Sequence, residues 1–136
     1  MTITSVSTDK APVVGFSAGT KAPLSQAIVF GDIVFCSGQG PLDPETHTLK
    51  THDFDEQAQL VLENLLRVVE AAGSSRERIL KCNCYLRDIE NFPAFNAVYR
   101  RFFADCPQFP ARTTVHASPP RDGVLVEIEC VAARNP

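Results

Sequence analysis

The sequence predicts an α+β domain in the order ββαβαββ, with two helices laid against one face of a mostly β sheet. Three patterns predict it. Two apolar runs flank a short Gly-Asp turn, one long segment repeats apolar residues every three or four positions, and residues 79–89 alternate with period two. At 136 residues and 44% hydrophobic content, the chain 1–136 fits one domain able to bury a core without staples.

Residues 1–12 read as a loosely held N-terminal arm. QAIVF (26–30) and DIVFCSG (32–38) around Gly31-Asp32 read as two antiparallel strands, followed by the loop GPLDPET. From Asp55 to Ala72, Ala58, Leu62, Leu65, Leu66 and Val69 form the apolar stripe of a helix, with Glu56, Gln59, Glu63 and Arg67 on its other sides. Asp53 and Glu56 have capping-box spacing, and Gly73 stands where a left-handed C-terminal cap belongs. In ILKCNCYLRDI (79–89), Leu80, Cys82, Cys84 and Leu86 alternate with Lys81, Asn83, Tyr85 and Arg87, as in a strand with one buried face. Asn91 is placed to cap a second helix that carries Pro93 in its first turn and Phe95, Val98, Tyr99 and Phe102 as its stripe, ending before Pro107. RTTVHAS (112–118) and GVLVEIECVAA (123–133) read as the last two strands, joined at PPRDG and therefore expected to be neighbours.

Composition narrows the chemistry. No run of about 18 apolar residues appears, and the start lacks the order of a secretory signal, so a cytoplasmic protein with no membrane partner is expected. Five cysteines in such a chain read as reduced thiols. Thirteen basic against sixteen acidic residues, net −3 and without a basic stripe, argue against a nucleic-acid partner and for a small molecule. The HxE and PCxxC pairs of a zinc deaminase are missing, and no other metal site is expected. GxSxG, GxxxxGK[ST] and GxGxxG are missing too.

Two features remain. Arg112 stands at the mouth of a strand of β-branched residues, and Glu127 and Glu129 sit in an apolar strand, where an acid must face water, pair with a cation or hold its proton more tightly. At this level solvated strand charges or an ordinary ion pair are the favoured explanation. His116, four residues beyond Arg112 on the same strand face, is either a second polar group at a site or a surface histidine. Cys82 and Cys84 share one strand face and read as core, and Cys106 as more exposed.

The segments APLSQAI, VFCSGQGPLDPET, EQAQLVLENLLRVVEAAG, FNAVYRRFF, PARTTV and VEIEC, over roughly residues 22–133, resemble the RidA/YjgF family of enamine and imine deaminases. The resemblance implies a chorismate-mutase-like subunit, a homotrimer with a pocket at each subunit interface, and no cofactor. It makes Arg112 the group that grips a substrate carboxylate, with a guanidinium fork that lysine cannot duplicate. It makes Glu127 the acid that activates or positions water. Leu24, Ser37, Gly38, Thr113, Thr114 and His116 then line the substrate site, with backbone groups near Arg112–Thr114 and Ser37–Gly38 as further contacts.

The chain departs from the family pattern in three places. Leu24 replaces the tyrosine of GPYSQA, Thr114 stands where a cysteine is frequent, and His116-Ala117 replaces glutamate-valine. These changes bear on the substrate more than on the reaction. The expected activity is deamination of 2-iminobutanoate or 2-iminopropanoate, or of another carboxylated enamine such as 2-aminoacrylate, 3-aminoacrylate or 2-aminomuconate. The alternatives are a non-catalytic metabolite-binding or chaperone-like trimer and, with less support from charge, an RNA-cleaving protein.

Overall fold

A computed structural model describes residues 1–13 and 22–136. Strands β1 (Ile3–Val6), β2 (Ala27–Phe30), β3 (Ile33–Gln39), β4 (Ile79–Leu86), β5 (Ala111–His116) and β6 (Val126–Ala133) form one sheet, with helix α1 (Phe54–Ala71) after β3 and α2 (Phe92–Phe102) after β4. The spatial order is β1-β2-β3-β6-β4-β5, antiparallel throughout except for the parallel pair β4–β5.

Alternation decides which side of the sheet the helices cover. Val34 and Cys36 of β3, Cys82, Cys84 and Leu86 of β4, and Val126, Ile128, Cys130 and Ala132 of β6 are buried beneath α1 and α2. Against them α1 sets Ala58, Val61, Leu62, Leu65, Val68 and Val69, and α2 sets Phe95, Val98, Tyr99 and Phe102. Among the described residues, the opposite face has no helix. There Ile28 pairs with Phe35 and Phe35 with Val131, and Phe35 is left half exposed.

Helix α1 is marked at both ends. Asp53 accepts a 3.0 Å hydrogen bond from the Glu56 N–H, while the Glu56 carboxylate takes the Thr51 hydroxyl at 2.9 Å instead of closing a reciprocal box. Gly73 turns the chain with φ of 86°, so that its N–H reaches Glu70 O at 3.0 Å and the Ser74 N–H reaches Val69 O at 3.1 Å, the paired bonds of a Schellman cap. Asn91 departs from expectation. It closes the 3₁₀ turn Ile89–Asn91 with ψ near 0° and makes no side-chain capping bond, because the chain is already coiled when it enters α2.

Two further departures concern the edges. Ile3–Val6, inside the stretch read as an arm, hydrogen-bond to β2 and form an edge strand, for which Ile3, Thr4 and Val6 have the β-branched character. Strands β5 and β6 are not neighbours, since β4 lies between them. β4, α2 and β5 form a βαβ unit, whose helical crossover returns the chain parallel to β4, and residues 117–125 then pass over the end of β4 to start β6.

Polar side chains fix that crossing segment. Arg87 donates to Val124 O at 2.9 Å, Arg121 O at 3.1 Å and Pro119 O at 3.3 Å. Gln57, fully buried on α1, donates to Gly123 O at 2.9 Å and Thr51 O at 3.0 Å and accepts from Leu125 N–H at 2.8 Å. One α-helical stripe further on, buried Asn64 donates to Gly40 O at 3.0 Å and Leu42 O at 2.9 Å. Gln57→Leu strands two part-buried carbonyls and a part-buried N–H, so the free energy of unfolding should fall by about 2–4 kcal/mol in urea denaturation.

Candidate functional site

On the helix-free face a cleft of about 970 Å³ opens between the two braced segments. Leu24, Ser37 and Gly38, then Gly40 and Leu42, line one side; Pro119, Arg121 and Val124 line the other; Glu127 and Glu129 form its floor. Its size falls in the range of small-molecule sites. The pairing of β3 with β6 slips by one residue between Cys36 and Gln39, a bulge that turns Ser37 and Gly38 toward the cleft.

Glu127 owes its setting to this bulge. A Cβ on Gly38 would lie 3.0 Å from Glu127 Cδ and 3.2 Å from Oε2, so the bare glycine lets the carboxyl pack flush against the strand, and any side chain there would push it aside. Burial, and next the negative charge of Glu129, push the Glu127 pKa above its ordinary 4.5. Among the described residues its carboxyl makes no hydrogen bond or ion pair. Glu129 is held differently, accepting a hydrogen bond from the Tyr85 hydroxyl, and that bond is the main reason the phenol is pushed up to about 12. Both donors of Ser37 are used within the chain: N–H to Gln26 O at 3.0 Å and Oγ to Ser25 O at 2.6 Å.

Arg112 lies elsewhere. On the edge strand β5 its side chain turns to the helix side, where it donates to Asn96 Oδ1 at 2.7 Å. Its guanidinium carbon stands 4.8 Å from the Tyr99 ring centre, 5.5 Å from Phe95 and 5.6 Å from Phe92. Three aromatic faces thus hold the cation. It forms no salt bridge among the described residues and borders a smaller hollow of about 280 Å³ with Asn96, Tyr99, Arg100, Phe109 and Pro110.

The residues singled out in the sequence therefore fall into two groups. Leu24, Ser37, Gly38 and Glu127 share the cleft. Arg112 is two strands away with its side chain on the other face, so the expected neighbour relation between Arg112 and the Glu127–Glu129 strand is corrected. Thr114 shares the face of Arg112, opposite Cys84; Thr113 faces the other way beside Asn83; exposed His116 ends the strand. Cys82 and Cys84 are fully buried, and desolvation raises both thiols, Cys82 to about 11, which makes them core groups. Cys106 is half-buried.

Two features of the site carry no local signal in the sequence: the cleft wall at 119–124, and Tyr85, which stands behind the lining and holds Glu129. The alternation of 79–89 did place Tyr85 opposite the cysteines, but its contact with Glu129 needs the β4–β6 pairing.

The Endoribonuclease L-PSP family model matches residues 16–134. A RutC family protein of Saccharolobus solfataricus is 42% identical over 114 residues, covering 83% of this chain and 88% of the relative. The crystal structure of the Rid-family protein YyfA from Yersinia pestis superposes with a TM-score of 0.86 at 35% identity, covering 97% of this chain and 99% of that one. The E. coli protein TdcF with bound serine gives a TM-score of 0.86 at 33% identity, with 97% and 99% covered.

Glu127 binds a proton more tightly in the folded chain than in the unfolded one. It therefore favours folding at low pH, and that contribution is lost as pH rises from 4.5 through the folded value. Glu127→Gln should stabilise the protein at pH 7 and leave it unchanged near pH 3, as read from urea midpoints at the two pH values.

Proposed function

The chain belongs to the Endoribonuclease L-PSP family, which includes the YjgF, RidA and RutC proteins, and on that premise we propose that it is a hydrolytic deaminase of small carboxylated enamines and imines. The observation that carries this reading is a pair of charged groups with no opposite charge beside them among the described residues: a carboxyl with raised proton affinity in a cleft, and a guanidinium at a sheet edge whose partners are an amide oxygen and three rings.

Such a pair suits one chemistry. Arg112 takes the substrate carboxylate with two parallel hydrogen bonds. Protonated Glu127 delivers its proton to the enamine β-carbon, giving the imine. As carboxylate it then draws a proton from the water that adds to the C=N carbon. Collapse of the carbinolamine expels ammonia and leaves the keto acid, and Glu127 shuttles the protons throughout. No step requires a cofactor. The serine bound to TdcF is itself a small amino acid with a carboxylate, in keeping with this substrate class. The preferred substrates are 2-iminobutanoate and 2-iminopropanoate, with 3-aminoacrylate and 2-aminomuconate as the alternative class, and Leu24 as the residue that shapes the pocket end.

One protomer does not bring the two groups together, since they occupy opposite faces two strands apart. A homotrimer supplies the missing half if the β5 edge of one copy, with Arg112, Thr113, Thr114 and His116, closes the cleft of the next. The uncovered face, with Ile28, Phe35 and Val131, offers the apolar surface for that contact. Five free thiols agree with work in the reducing cytoplasm. RNA cleavage has weaker support, because two glutamates on the cleft floor and a net charge of −3 repel a phosphate backbone.

The test uses 2-aminoacrylate generated in situ by a serine dehydratase, with keto acid and ammonia release followed over the uncatalysed background. Wild type should accelerate release. Arg112→Ala should lose about 10²-fold or more in kcat/KM, and Arg112→Lys should recover only part of it. Equal release by wild type and Arg112→Ala overturns the reading. Gly38→Ala, which drives a Cβ into Glu127, should lower kcat at least tenfold with KM changed much less, in the same assay.

A further inference from the structure

The cleft floor contains a hydrogen bond that the deaminase reading does not use. Tyr85 and Glu127 are direct partners across the β4–β6 ladder, and Glu129 follows two residues later on the same face. The Tyr85 hydroxyl nevertheless passes over Glu127 and donates to Glu129 Oε1. Glu127 keeps an unpaired carboxyl pressed against Gly38, and Glu129 is clamped beside it as an acceptor.

Resting on the deaminase reading, we propose that Tyr85 and Glu129 are positioning residues of its site: the phenol pins the Glu129 carboxylate on the cleft floor, and that fixed charge keeps the transferable proton on Glu127. An unpinned Glu129 would swing toward water, where solvent screens its charge and weakens its hold on Glu127. Among the described residues, the other charged groups lining the cleft come from the 119–124 segment, where exposed Arg121 and Asp122 carry opposite signs. From β3 the neighbours Ser37 and Gly38 bring no titratable group, and from β4 the one facing Glu127 is Tyr85. Burial and Glu129 are the causes that raise the Glu127 pKa, and the Glu129 hydrogen bond is the largest cause acting on Tyr85.

The step is a proton transfer. The Glu127 O–H breaks as a C–H forms at the enamine β-carbon, the electron pair of the C=C supplying the new bond and the nitrogen lone pair forming C=N. Glu127 regains its proton from the water that adds. Without the Glu129 charge, Glu127 releases its proton at lower pH and spends more time as carboxylate when the enamine arrives.

The experiment reads Glu127 directly. Protein labelled with ¹³C at glutamate Cδ is titrated by NMR as wild type, Tyr85→Phe, Glu129→Gln and the double variant, with Glu127→Gln identifying the signal. The Glu127 midpoint should fall in both single variants, and the double variant should fall no further than Glu129→Gln. In parallel, kcat/KM for 2-aminoacrylate should fall severalfold in each variant at pH values above the Glu127 midpoints read from the titration, and by much less below them. A midpoint that stays put or rises in both single variants overturns the proposal, as does a rate loss equal above and below the measured midpoints. A lowered midpoint in a protein with no turnover in any form leaves the clamp standing and sinks the deaminase reading. Should Tyr85→Phe fail to fold, the near-isosteric Glu129→Gln decides alone.

Discussion

Everything about this site depends on the pleat of one strand. In β6 the residues Val126, Ile128, Cys130 and Ala132 enter the core, so Glu127 and Glu129 must point the other way, onto the face without helices. A register slip of one residue would place two carboxylates under α1 and four apolar groups in water, which makes the arrangement expensive to alter. The core thus holds the acids in place without touching them. The same rule on β4 delivers Tyr85 to the acidic side and Cys82 and Cys84 to the apolar one.

The cleft above those acids is held by groups beyond its lining. Gln57 and Asn64 lie seven residues apart on the buried side of α1, and each satisfies backbone groups of one wall, 123–125 and 40–42 respectively. Arg87 ties the first of these walls to the end of β4 through three carbonyls. Buried amides that satisfy backbone groups of both walls let the loops keep one shape without a ligand, which is the condition for orienting a reaction at low entropic cost. Arg112 is preorganised by other means, a single amide oxygen and three rings, which restrict the guanidinium while leaving its charge unneutralised.

Much of this was legible in the chain itself. The α1 stripe, its Asp53 and Gly73 ends, the Gly31-Asp32 hairpin and the alternation of 79–89 are local signals, set by side-chain direction and turn chemistry, and each lies within three residues of its observed place. What failed was non-local. A turn predicts that the strands it joins are neighbours, whereas the α2 crossover seats β5 beside β4 and leaves β6 to fill the gap next to β3. The Tyr85–Glu129 bond was out of reach for the same reason. Gln57 and Asn64 did leave a trace: two amides in the stripe with Val61 and Val68 are polar groups where a core stripe should be apolar, a sign of a buried backbone partner. The site residues sorted by family resemblance were named together, but the backbone separates them onto two faces, and only the folded topology reveals that division.

That separation makes the central claim unusually direct to test: Arg112 of one copy and Glu127 of another form one working site. Arg112→Ala and Glu127→Gln proteins, each inactive alone, are unfolded, mixed in equal amounts and refolded together, and keto acid release from an enamine is measured. Random assembly places an intact Arg112 against an intact Glu127 at about one site in four, so the mixture should regain about a quarter of wild-type activity. A mixture as inactive as its components would mean that the two groups act within one chain or not at all, and would contradict the account.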